Sequence, residues 1–86
     1  MTQERKVALV TGASRGIGAA IAQQLILDGY FVVGTATSES GAEKLSVSFA
    51  DQGVGAVLDV RDGAAIDALV SDIEQKYGSV MVLVNN

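Results

Sequence analysis

The feature that most constrains this chain is an apolar run without alternation. Val7-Ala8-Leu9-Val10 is continuously apolar and ends in Thr11-Gly12. A strand with water on one face alternates apolar and polar residues, whereas a continuous run needs cover on both faces, as inside a parallel sheet flanked by helices. Parallel neighbours in turn require crossover segments between them. The residues that follow supply one: Ile17, Ile21 and Leu25 fall four apart on one helical face, and Asp28-Gly29 provides the glycine expected just past a helix end.

The same pattern repeats along the chain. Tyr30-Phe31-Val32-Val33-Gly34 is β-branched and aromatic and predicts strand two, with a polar loop from Thr35 to Ser40 after it. Gly41 to Asp51 predicts a weaker helix on Leu45 and Phe49, and Gly53-Val54-Gly55-Ala56-Val57-Leu58 a third strand leading into Asp59. Ile66, Leu69, Val70 and Ile73 have the i, i+3, i+4, i+7 spacing of a core-facing helix, with Asp62 as N-cap and Gly78 as stop. Val80-Met81-Val82-Leu83-Val84 predicts a fourth buried strand. Strand and helix alternate as βαβαβαβ, and right-handed crossovers lead to an α/β fold: a Rossmann-type doubly wound parallel sheet with strand order 3-2-1-4. Helices one and two then share one face and helix three takes the other. Strand four is left with a bare face and an unpaired edge, so the chain by itself is expected to self-associate.

Composition narrows the chemistry. The 86 residues carry 49% hydrophobic and 19% charged side chains, which suits a globular domain, here taken as one incomplete dinucleotide-binding domain over residues 1–86. A net charge of −4, with basic residues scattered singly apart from Arg5-Lys6, argues against nucleic acid or a membrane surface as partner. The absence of cysteine and histidine excludes disulfides, thiolate nucleophiles, an imidazole base and Cys/His metal centres. Val7 to Val10 is far shorter than the roughly 20 residues of a membrane span, so a cytoplasmic location is expected.

Thr11-Gly12-Ala13-Ser14-Arg15-Gly16-Ile17-Gly18 stands where strand one turns into helix one. Glycines there permit a tight turn, close approach of a pyrophosphate and close packing of helix on sheet, while the free N–H groups of the first helical turn face the phosphates. Ser14 and Arg15 add hydrogen-bond donors. No Lys-[Ser/Thr] pair follows the last glycine, which separates this loop from the phosphate loop of nucleoside triphosphatases. At the end of strand two no acid occurs before Glu39, so no carboxylate would repel a ribose 2′-phosphate. Thr37 and Ser38 hydroxyls with the Arg15 guanidinium make a 2′-phosphate site, and NADP(H) is expected over NAD(H). Asp59 can accept from an adenine amino group beside the Val60 N–H, or can act merely as a turn aspartate.

The loop from Thr11 to Gly18 resembles the Thr-Gly-x-x-x-Gly-x-Gly loop of the short-chain dehydrogenases/reductases, and Asn85-Asn86 resembles the start of that family's Asn-Asn-Ala-Gly motif. Within it, Thr35 to Ala42 resembles the loop of bacterial 3-oxoacyl-[acyl-carrier-protein] reductases, and the similarity runs over all 86 residues. The resemblance implies that Gly12, Ala13, Ser14, Arg15 and Ile17 line the pyrophosphate, Thr37 the 2′-phosphate, Asp59 and Val60 the adenine, and Asn86 the ribose next to nicotinamide. It also implies a 3-oxoacyl thioester on acyl carrier protein as substrate, in fatty-acid biosynthesis, and a homotetramer. The family's catalytic Ser, Tyr-x-x-x-Lys and further Asn are not matched: Tyr30 has Gly34 four places on and Tyr77 has Met81, so no catalytic residue is assigned here. Three alternatives stay open, namely a reductase of some other ketone or alcohol, a dinucleotide-binding fragment without catalysis, and an interaction module in which the loop is only a turn.

Overall fold

The computed structural model describes residues 6–14 and 16–85. Four strands and three helices alternate: β1 (Val7–Val10), α1 (Gly16–Leu27), β2 (Phe31–Ala36), α2 (Glu39–Phe49), β3 (Gly53–Val57), α3 (Gly63–Lys76) and β4 (Val80–Val84), with a 3-10 turn over Ala50–Gln52 after α2. The strands form one parallel sheet in the order β3-β2-β1-β4, the expected topology.

Burial follows the logic of the apolar runs. All four residues of β1 are fully buried because it is central and covered on both faces. On one face Ala8, Val10 and Val32 pack with Ala22 of α1 and Leu45 and Phe49 of α2. On the other, Val7, Leu9 and Val33 pack against Ile73 of α3, with Leu69 and Val70 alongside. Helix ends are fixed as their sequences suggest. Gly29 has φ 95°, the Tyr30 N–H donates to the Leu25 carbonyl and the Gly29 N–H to that of Ile26, a Schellman closure. At α3, the Asp62 carboxylate accepts from the Ala65 N–H at 3.2 Å, and Gly78 ends the helix at φ 124°.

Strand two starts one residue later and strand three ends one residue earlier than expected, and α2 ends at Phe49 rather than Asp51, with the 3-10 turn after it. Two further differences are larger or have a visible cause. β2 runs on through Thr35 and Ala36, because both residues pair with β3 and are buried. α2 begins at Glu39 rather than Gly41, since the Ser38 side chain caps it by accepting from the Gly41 N–H at 3.1 Å.

β4 pairs with β1 alone among the described residues. Val82 and Val84 pack into the core on the α1 and α2 side, but Met81 and Leu83 are 63% and 57% exposed. The bare face and open edge of this strand are therefore as expected.

Candidate functional site

A parallel sheet places all its strand ends at one edge, and in an order such as 3-2-1-4 the loops beside the central strand leave toward opposite faces, opening a crevice there. The loops after β1, β2 and β3 all meet at that edge. They enclose a cleft of about 700 Å³, lined by Gly12, Ser14, Gly16 and Ile17 after β1, by Thr35, Ala36 and Thr37 at the end of β2, and by Leu58, Asp59, Val60 and Arg61 after β3. Cavities of about 300–1,000 Å³ are usual for cofactor-sized ligands.

The first wall is a loop held from below. Gly12 and Gly16 have φ of 62° and 67°, a backbone region that side chains strain. The Gly12 N–H donates to Thr35 Oγ1 at 3.2 Å, and the Ala13 N–H to the Thr35 carbonyl at 2.9 Å. Thr35, buried in β2, thus accepts from two successive loop amides. The Thr11 N–H donates to the Val84 carbonyl at 3.0 Å and its hydroxyl to Asn85 Oδ1 at 3.1 Å, which ties the same loop to the end of β4. The loop can lie this close because β2 carries Gly34: a Cβ there would stand 2.9 Å from the Ala13 Cβ and 3.0 Å from Phe49 Cε2. α1 then opens onto the cleft at Gly16 and Ile17 with no acidic residue in its first turn. The positive end of its dipole is left for an anion.

The opposite wall carries an ion pair. Arg61 donates from its backbone N–H and Nε to Asp59 Oδ1, each at 3.0 Å, and from Nη2 to Asp59 Oδ2 at 2.9 Å. These bonds from Arg61 hold the Asp59 carboxyl down at about 2. The pair is solvent-facing, with side chains 88% and 54% exposed for Arg61 and Asp59. Leu58, by contrast, is buried and extends the β2–β3 ladder by donating its N–H to the Ala36 carbonyl at 2.9 Å.

Of the residues expected to form the site, Gly12, Ser14, Gly16, Ile17, Thr37, Asp59 and Val60 come together around the cleft. Ala13 and Gly18 do not line it. The Ala13 side chain is in the core with its N–H bound to Thr35, and Gly18 is buried within α1. Ser38 caps α2, its oxygen accepting from the Gly41 N–H, which leaves the hydroxyl hydrogen able to donate. Arg15 and Asn86 lie outside the described residues. Thr35 and Arg61 were not anticipated; a buried threonine beside the glycine loop is the signal for the first, and nothing but the folded turn identifies the second. The tyrosine and lysine away from the cleft are structural: Tyr77 stacks on Phe31 at 4.6 Å between ring centroids, and Lys76 pairs with Asp72 at 3.3 Å. Among the described residues no cluster of acids could hold a metal ion, and no helix is long and apolar enough to cross a membrane.

Comparison with known proteins agrees with this geometry. The family model for short chain dehydrogenase matches residues 6–86. The chain is 52% identical over 81 residues to the 3-oxoacyl-[acyl-carrier-protein] reductase FabG of Haemophilus influenzae, covering 94% of this chain and 34% of that protein. It is 50% identical over 86 residues to the proteins of the same name from Salmonella typhimurium and Escherichia coli, covering all of this chain and 35% of each. The chain thus spans about a third of the length of the curated relatives it matches. With the glycine loop, the switch-point cleft and the family match in agreement, this chain belongs to the short chain dehydrogenase family.

Proposed function

We propose that residues 1–86 are the cofactor-binding front part of an enzyme that uses NADPH to reduce 3-oxoacyl-[acyl-carrier-protein] to the 3-hydroxyacyl form in fatty-acid biosynthesis. The observation that carries the cofactor half is the cleft itself: a helix N-terminus without an acid, a glycine loop braced on Thr35, and an exposed Thr37 at the end of β2 with no carboxylate before Glu39. The substrate half rests on the identity of about half the residues to enzymes named for that reaction.

The bound nicotinamide dinucleotide supplies the hydride. The chain's own residues bind and orient it. The first-turn amides of α1, with Gly12 and Ser14, take the pyrophosphate, and Ile17, 73% exposed on the cleft, forms an apolar wall beside it. Thr37 donates to the ribose 2′-phosphate and Arg15 neutralises it. Asp59 and Val60 take the adenine, and Asn86 the ribose next to nicotinamide. The proton donor lies outside these 86 residues, since neither tyrosine has a lysine four places on. The whole enzyme is read as a cytoplasmic homotetramer, by its resemblance to the family.

The test is NADPH consumption by the whole protein in the presence of a 3-oxoacyl thioester on acyl carrier protein. Substrate-dependent consumption, much slower with NADH, is expected. NADPH that binds but is never consumed with any 3-oxoacyl chain length would remove the substrate assignment.

A further inference from the structure

We infer that Arg61 is an adenine-binding residue of the cleft, its guanidinium held flat by Asp59 so that it stacks on the adenine ring. The inference rests on the cofactor reading above. It concerns a residue that the glycine loop and the end of β2 leave unaccounted for, on the wall facing them.

Four observations lead to it. First, Nε and Nη2 each bond a different oxygen of Asp59, at 3.0 and 2.9 Å, the fork geometry that fixes the plane of a guanidinium. Second, the backbone beneath is fixed as well: the Arg61 N–H returns to Asp59 Oδ1 at 3.0 Å, and the Asp62 N–H to the Asp59 carbonyl at 3.0 Å. Third, the Arg61 side chain is 88% exposed while lining the cleft with Val60 and Thr37, so protein does not cover the flat group. Fourth, the Arg61 and Asp59 charges cancel. The pair exerts little net pull on a phosphate, but a guanidinium face next to the apolar Val60 suits an aromatic ring.

Acceptor capacity is consistent with this role. A carboxylate offers about four acceptor positions. Arg61 fills two on Oδ1 and one on Oδ2, which leaves Oδ2 a position for the adenine amino group. Arg61 therefore both contacts the ring and orients the acid that reads its edge.

The test uses the whole protein and four probes: NADPH, NADH, 5′-AMP, which has adenine but no nicotinamide, and reduced nicotinamide mononucleotide, which has no adenine. Arg61→Ala is expected to weaken NADPH, NADH and AMP together by roughly 3- to 30-fold, the range for a cation on an aromatic face from exposed to desolvated. The mononucleotide affinity and the NADPH to NADH preference stay as they were. Arg61→Lys does not restore binding, because an ammonium has neither the flat face nor the fork. Unchanged NADPH and AMP binding in Arg61→Ala, or full rescue by lysine, would overturn this inference and leave the cofactor reading standing. Loss confined to NADPH would make Arg61 a phosphate contact and overturn it equally. Failure of the unaltered protein to bind either dinucleotide would remove the cofactor reading and this inference with it.

Discussion

Gly34→Ala adds one methyl group at the point where strand, glycine loop and helix meet. The new Cβ would lie 2.9 Å from the Ala13 Cβ, 3.0 Å from Phe49 Cε2 and 3.2 Å from Phe49 Cζ. Gly34 cannot back away, because β2 lies between two neighbours and this residue is in register with Val10 on one side and Gly55 on the other. The phenyl ring can tilt, but the Ala13 Cβ moves only with the loop backbone, which hangs on Thr35. Overfilling a packed core costs about 1–3 kcal/mol, and the stiffer unfolded chain of alanine offsets about 0.4–1 kcal/mol of it. The net loss expected is about 1–2 kcal/mol, accompanied by weaker NADPH binding as the loop is lifted. Urea unfolding of the whole protein, compared at unchanged slope, measures the first effect and cofactor titration the second. Ala13→Gly in the same protein removes one of the colliding atoms, so the two substitutions together should cost less than the sum of each alone by about 1 kcal/mol. A Gly34→Ala protein within about 0.5 kcal/mol of the original, or strictly additive substitutions, would refute the tight seating of the loop on β2.

Other consequences follow from the same geometry. Thr35→Val deletes the hydroxyl that accepts from the Gly12 N–H, and should cost about 1 kcal/mol of stability and weaken dinucleotide binding; unchanged affinity would mean that the loop does not need this brace. The Asp59 carboxyl, held at about 2 against an ordinary 3.8, should titrate near 2 by NMR, and a midpoint near 3.8 would show the pair with Arg61 to be absent. The sign follows from the lowered value: whatever this exposed pair contributes is present above pH 3.8 and lost as pH falls toward 2, and salt screens it. The 86-residue chain alone should associate through the open edge and exposed Met81 and Leu83 of β4, and Leu83→Lys should reduce that association in sedimentation. A monomeric unaltered chain at tens of micromolar would contradict it.

The topology was legible because each signal for it is local. Unalternated valine and leucine runs, stripes at helical spacing, and Gly29, Asp62 and Gly78 at helix ends all act within a few residues of where they stand. Ile17 shows where pattern alone stops: it continues the stripe of Ile21 and Leu25, yet they pack in the core while it is exposed on the cleft. Thr35 and Ala36 read as loop because Gly34 interrupts the β-branched run and a polar stretch rich in Thr and Ser follows it, and it is pairing with β3 that keeps them in the sheet. Ser38 carries the cap signature of a serine before a helix, in which its oxygen accepts from the Gly41 N–H. The Asp59–Arg61 fork was invisible because residues two apart meet only if the chain folds back between them, as it does in the turn from Asp59 to Asp62. Ala13 and Gly18 are buried rather than on the cleft, a difference that spacing alone does not show.

The most direct test of the account is the ratio of NADPH to NADH affinity in the whole protein, measured by equilibrium titration. Thr37 at the end of β2 and no carboxylate before Glu39 predict that NADPH binds at least about tenfold more tightly, or 1.4 kcal/mol. Equal affinities, or tighter binding of NADH, would contradict it.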